Sequence, residues 1–203
     1  MSLISEVLGV DQGIVEGYIG EAGMIDRQVE EKIRGKDLWA LTSDKRKYLY
    51  AVIKILTPEK VVETGVGSGV STTFILSALN KGILYSIDLG VKYGEEEETY
   101  PVGFVVPEKL KGKWRLIIGD SKKVLPELLS ELGIIQVFLH DGDHTYENVK
   151  FELSLAWDHM NEGIILVDNF EFNSATRDFC KEKGCTVLKL SDQNGGFAMI
   201  KKT

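Results

Sequence analysis

Asp141, Asp143 and His144 fall within four positions of one another, just beyond the apolar run Ile134-Ile135-Gln136-Val137-Phe138-Leu139. Carboxylates and an imidazole at this density can hold a cation, move a proton, or simply cap the helix that follows. A second polar pair, Asp168-Asn169, ends the apolar run Gly163-Ile164-Ile165-Leu166-Val167. If the two runs are neighbouring strands, ~4.8 Å apart, Asp141 and Asp168 point at one place and Asn169 adds a neutral oxygen. An all-oxygen set of this kind selects a hard cation, Mg2+ first, with Mn2+ or Ca2+ as substitutes. His144, with a reference pKa of ~6.5, is then the candidate general base beside the candidate catalytic residue Asp141. Helix capping accounts well for Asp143 or Thr145 and poorly for Asp141.

A second constellation lies earlier in the chain. Gly65, Gly67 and Gly69 sit between the run Lys60-Val61-Val62-Glu63-Thr64 and the helical pattern that opens at Val70. Such a turn lets a ligand lie against the main chain. Val70 occupies the place of the third glycine of a dinucleotide fingerprint, which disfavours a nicotinamide cofactor. Glu63 can organise this loop or approach a cationic amino-acid ligand. Asp88 ends the next apolar run about 23 residues past Gly65, where an acid can bind both ribose hydroxyls. Asp120 and Ser121 end the run after that, polar enough to meet an adenine and also fit to cap a helix. Taken together, on successive strand ends, they favour a ligand site.

What must position these residues is an alternation of short β-branched runs with amphipathic segments from Lys60 onward. That alternation implies a doubly wound, Rossmann-like α/β sheet. Two final runs, Cys185–Leu190 and Gly196–Lys202, are separated only by a turn-rich stretch and should form an antiparallel hairpin at one sheet edge. Seven strands are expected, five of them parallel. Before Lys60 the spacing predicts three helices, with Ser43 as N-cap of the third. Residues 1–42 read as a helical extension, a lid or subunit contact, ahead of a domain at 43–203. The stretch Gly90–Lys113 reads as a shorter helical crossover within a functional or mobile loop, and its run Glu95–Glu98 as a solvated face.

Composition sets the frame. The chain has 203 residues, 43% hydrophobic, with a net charge of −7 and no basic cluster. That argues against nucleic acid as partner and leaves room for a small molecule held by a few side chains. No apolar run approaches the ~20 residues of a membrane span, and no basic region precedes an apolar stretch at the start. A cytoplasmic location is expected. Cys180 and Cys185 lack CxxC spacing and a nearby histidine, so free thiols are the reading.

The residues above also carry a resemblance. From about Ser43 to its end the chain is similar to class I S-adenosylmethionine-dependent methyltransferases, in the acid-x-Gly-x-Gly-x-Gly loop (Glu63 to Gly69), in Asp88 and in the terminal hairpin. Within them it looks nearest the metal-dependent small-molecule O-methyltransferases. These are the catechol and caffeoyl-CoA type and the macrolide and aminocoumarin sugar type. The caffeoyl-CoA pattern has Asp-Ala-Asp-Lys after strand four and Asp-Asn after strand five. Here those places read Asp141-Gly142-Asp143-His144 and Asp168-Asn169, with imidazole where that pattern has lysine. Ser71 falls where the catechol type has a serine that meets the methionine carboxylate. The resemblance implies S-adenosyl-L-methionine bound by Glu63, Gly65, Gly67, Ser71, Asp88, Asp120, Ser121 and Asp141. It implies a divalent cation on Asp141, Asp168 and Asn169, a small hydroxylated substrate, and a homo-oligomer, a dimer. A metal-free methyltransferase and a non-catalytic cofactor-binding module are the rival readings.

Overall fold

The computed structural model describes residues 3–36, 38–90 and 100–203. The β-branched runs become β1 (Lys60–Thr64), β2 (Ile83–Asp88), β3 (Trp114–Ile118), β4 (Val137–His140), β5 (Gly163–Asp168), β6 (Leu188–Ser191) and β7 (Phe197–Lys202). Three helices precede them, α1 (Leu3–Leu8), α2 (Gln12–Ile33) and α3 (Ser43–Leu56). Four more connect them, α4 (Val70–Ala78), α5 (Ser121–Leu132), α6 (Tyr146–Asp158) and α7 (Ala175–Lys183). The strands form one sheet in the order β3-β2-β1-β4-β5-β7-β6. Its first five members are parallel, and β7 runs antiparallel to both β5 and β6. The expected terminal hairpin is present, turned by Asn194, Gly195 and Gly196 at positive φ.

Alternation along each strand decides which core a side chain joins. Val61, Leu139, Ile164 and Leu166 pack with Leu49 and Ile53 of α3 and Phe74 of α4. Their neighbours Val62, Phe138, Ile165 and Val167 face the opposite way, onto Leu125 of α5, Leu153 of α6 and Phe179 of α7. With both faces covered, the sheet exposes polar chemistry at strand ends. The strand order reverses between β1 and β4, and ligands of open parallel sheets settle outside the carboxyl ends at such a point.

One local expectation changes. Thr42, not Ser43, is the N-cap of α3. Ser43 lies inside the helix, where its hydroxyl donates to Asp26 of α2 at 2.6 Å. The crossover after β2 contains a short 3-10 helix (Glu108–Lys113), and the run Glu95–Glu98 lies outside the described residues. Its later part is latched to the glycine loop, since Gly103 N donates to Gly67 O (2.9 Å) and Val105 N to Ser68 O (3.0 Å). Cys180 and Cys185 are free thiols. Among the described residues no helix is long and apolar enough to cross a membrane.

Candidate active site

The glycine loop passes so close to the end of β4 that side chains are excluded. At Gly65 (φ +81°) a Cβ would lie 1.9 Å from the Asp141 carbonyl oxygen. The loop is clasped by Asp88, whose Oδ2 accepts from Val66 N (2.9 Å) and Gly67 N (3.0 Å) and whose Oδ1 accepts from Gly90 N (2.8 Å). Glu63 lies beneath the loop, fully buried, and accepts from the hydroxyls of Ser71 (2.6 Å), Thr72 (2.8 Å) and Ser86 (2.7 Å). Burial pushes the Glu63 carboxyl above the usual range, while those hydroxyls pull it back. Of its two sequence roles, the geometry therefore displays loop organisation. Glu63 does not border the cavity. Asp120 caps α5 by accepting from Lys122 N at 2.9 Å.

Both constellations meet on one cavity of about 880 Å³. Gly65, Gly67, Ser71, Asp88, Asp120 and Ser121 line it, together with Asp141, His144 and Asn169. Trp39, 87% exposed, Leu89 and Phe172 give it an apolar border.

The acidic cluster follows from register. His140 pairs with Val167, so Asp141 and Asp168, one residue further on, leave neighbouring strands side by side. Ligand atoms of Asp141, His144 and Asp168 all lie within 4.8 Å of one another. Burial raises Asp141 well above its ordinary pKa, and the adjacent Asp168 and Glu63 charges raise it further. Asp168 is also raised by burial, with Lys45 opposing. Asn169 sits at φ +50° at the strand end, its Oδ1 buried without a partner. Two crowded carboxylates beside an unsatisfied amide oxygen form a donor set that suits a hard cation.

His144 is held at the start of α6. Its Nε2 faces Asn169 Nδ2 at 3.2 Å, its carbonyl accepts from Asn173 Nδ2 at 2.7 Å, and its Nδ1 is buried with no partner. Burial, then the neighbouring His140, lowers its pKa to about 4, so the free imidazole is neutral at ordinary pH. That differs from the reference value on which the sequence reading relied. Asp143 closes a turn onto Thr145, accepting from its N and Oγ1 at 3.0 Å each; it also borders the cavity, and its charge opposes the lowering of the His144 pKa.

Sequence reasoning missed three site residues. Lys45, fully buried, donates to Asp168 Oδ1 and to Asn194 O, both at 2.7 Å. His140 and Glu152, also fully buried, meet at 2.7 Å below His144. The available signal was helical spacing. Lys45 shares a face with Leu49 and Ile53, and Glu152 with Val149 and Ala156, so charged residues occupy apolar stripes.

The family described as "Methyltransferase domain" matches residues 62–170, just over half of the chain. No curated protein matches it. Among solved structures, cofactor-bound Rv0187 from MTB is 17% identical over 98% of this chain and 93% of its own, with a TM-score of 0.64. The O-methyltransferase of Bacillus cereus in complex with SAH is 13% identical over 98% and 95%, with a TM-score of 0.57. The O-methyltransferase TomG of Streptomyces achromogenes, involved in tomaymycin synthesis and in complex with SAM, is 13% identical over 95% and 90%, with a TM-score of 0.59. At these identities the likeness is one of fold.

Proposed function

The chain belongs to the methyltransferase-domain family, and on that premise we propose that it moves the methyl group of S-adenosyl-L-methionine to a hydroxyl of a small molecule. We further propose that a divalent cation, Mg2+ first, assists on Asp141, Asp168 and Asn169. The observation that carries this reading is the convergence of the clasped glycine loop with Asp141, His144 and Asn169 on one cavity, Asp168 lying buried behind them. When bound, the sulfonium supplies an electrophilic methyl carbon, and the cation would lower the pKa of the hydroxyl presented to it. The protein supplies proximity and a proton acceptor. His144 offers a lone pair because burial keeps it neutral, and its low basicity suits a hydroxyl already acidified. His144 would take the proton of that hydroxyl. Trp39, Leu89 and Phe172 offer an apolar border for a substrate to pack against. The same proposal assigns a small-molecule partner, a cytoplasmic setting and a homodimer.

Lys45 favours a second reading. An ammonium already bound to Asp168 supplies one positive charge, and Asp168-Asn169 would then only bind substrate, with no metal. Methyl transfer to vicinal-diol acceptors, assayed in excess EDTA and after adding back Mg2+ or Mn2+, separates the two. Loss and recovery support the cation. Undiminished turnover in chelator leaves the metal-free enzyme, and bound cofactor with no transfer to any acceptor leaves a non-catalytic module.

A further inference from the structure

Cys180 and Cys185 are the chain's two cysteines, and the proposed methyl transfer has no use for either. Their sulfurs nonetheless stand 2.8 Å apart, Cys185 Sγ donating to Cys180 Sγ. We propose that the pair is a modification site, a dithiol that a low-molecular-weight disulfide such as oxidised glutathione converts reversibly to a Cys180–Cys185 bond clamping the end of α7. The clamp stands or falls separately from the methyl-transfer reading.

The way α7 ends brings the thiols together. Gly184 adopts φ +72°, ψ +25°, the left-handed conformation that stops a helix. Its N–H and that of Cys185 both donate to the Cys180 carbonyl, the latter at 2.9 Å. Such a six-to-one bond across a glycine folds the next residue back over the last helical turn, and the side chains at the bond's two ends meet. That contact is frequently apolar, but here both places hold cysteine. Both side chains pack on the core of Phe179 and Leu153. Two sulfurs already in contact, fixed by one turn of backbone, need only a small side-chain rotation to bond.

Exposure gives each sulfur its task. Cys185 is half-buried and reaches solvent, whereas Cys180 is 3% exposed. Burial, then the contact with Cys185, pushes the Cys180 thiol up, so it stays protonated and closed to outside reagents. The Cys185 thiolate therefore attacks the oxidant first, breaking its sulfur–sulfur bond, forming a mixed disulfide and releasing one thiol. With Cys185 capped, its part in raising Cys180 is gone. Cys180 then yields its proton to water and attacks Cys185 Sγ, releasing the second thiol. The protein gives up two electrons and two protons, and one oxidant disulfide becomes two thiols. A reductant reverses the path at Cys185 Sγ, and in the cytoplasmic setting proposed above such a bond is transient and redox-sensing. It would join the last turn of α7 to the segment leading into β6, on a helix already tied to α6 by Lys150–Glu182 and Lys183–Asp158.

The full chain, incubated with oxidised glutathione and quenched by alkylation, gives the answer as an intact mass. It should lose two hydrogens, carry no glutathione, and return to two alkylatable thiols in excess dithiothreitol. Cys180→Ser should stop with one glutathione on Cys185, and Cys185→Ser should stay unmodified while folded. Hydrogen exchange at the Gly184 and Cys185 amides should be slower in the oxidised chain than in the reduced one. Thiols that stay free, a glutathione adduct as the end product of the unaltered chain, or a disulfide between two chains would each overturn the proposal. So would a bond that leaves exchange at those two amides unchanged.

Discussion

At His144 the type of residue was legible and its state was not. The sequence shows imidazole where lysine stands in a related pattern, but its pKa of about 4 follows from burial and from His140. Replacing His144 with Ala should lower turnover ~10²–10⁴-fold and leave cofactor affinity near its starting value, as calorimetry with S-adenosylhomocysteine would read. The same residue and Asp141 tilt stability with pH in opposite directions. The folded His144 resists the proton that the unfolded chain accepts below 6.5, so its contribution is lost as pH falls from 6.5 towards 4. The Asp141 carboxyl is raised, so its folded form keeps a proton that the unfolded chain releases above 3.8, and stability declines as pH rises through that window. Asp141→Asn, neutral throughout, should therefore melt above the unaltered protein at pH 8 without metal, and near it at pH 4. Lys45 is the residue the sequence hid best, a cation inside the charged run Asp44-Lys45-Arg46-Lys47. Lys45→Met should cost roughly 3–5 kcal/mol by urea unfolding, because Asp168 is left buried without its partner. Adding Asp168→Asn should restore most of that.

Elements were easier to read than their joints. Period-two runs and turn chemistry specify seven strands and the closing hairpin, since a one-residue slip would move a whole apolar face into water. The capping of α3 was less legible. Thr42 and Ser43 are both cap residues by type, Ser the better one, yet Ser43 enters the helix and donates to Asp26 of α2. The glycine loop shows the same division. Its spacing marked a turn, but the reason for Gly65 is the Asp141 carbonyl, which belongs to another element. Gly65→Ala should abolish cofactor binding, or folding with it, as thermal shift with S-adenosylhomocysteine would show. Asp143→Ala should only loosen the start of α6, costing ~1 kcal/mol and sparing turnover.

Over the whole molecule, cofactor binding should add ~2.7 kcal/mol at 100 times its dissociation constant, visible as a higher melting midpoint, and NAD should add nothing. The sheet order was foreseeable because parallel strands with crossover helices leave few arrangements. What held the first helices to it was less so, because apolar packing of Val15, Ala22 and Val29 is joined there by two adjacent charged side chains. Arg46 reaches back to Asp26 and Glu30 of α2, and Lys45 reaches forward to the end of β5. Both are desolvated, so neither can let go without stranding a charge. Opening of α2 and loosening of the β5 carboxylate thus become one event. In hydrogen exchange, amides of α2, the first turn of α3 and the end of β5 should lose protection together at a single free energy. A chain cut at residue 42 should then exchange fast at Asp168 and Asn169, far along the sequence from the cut.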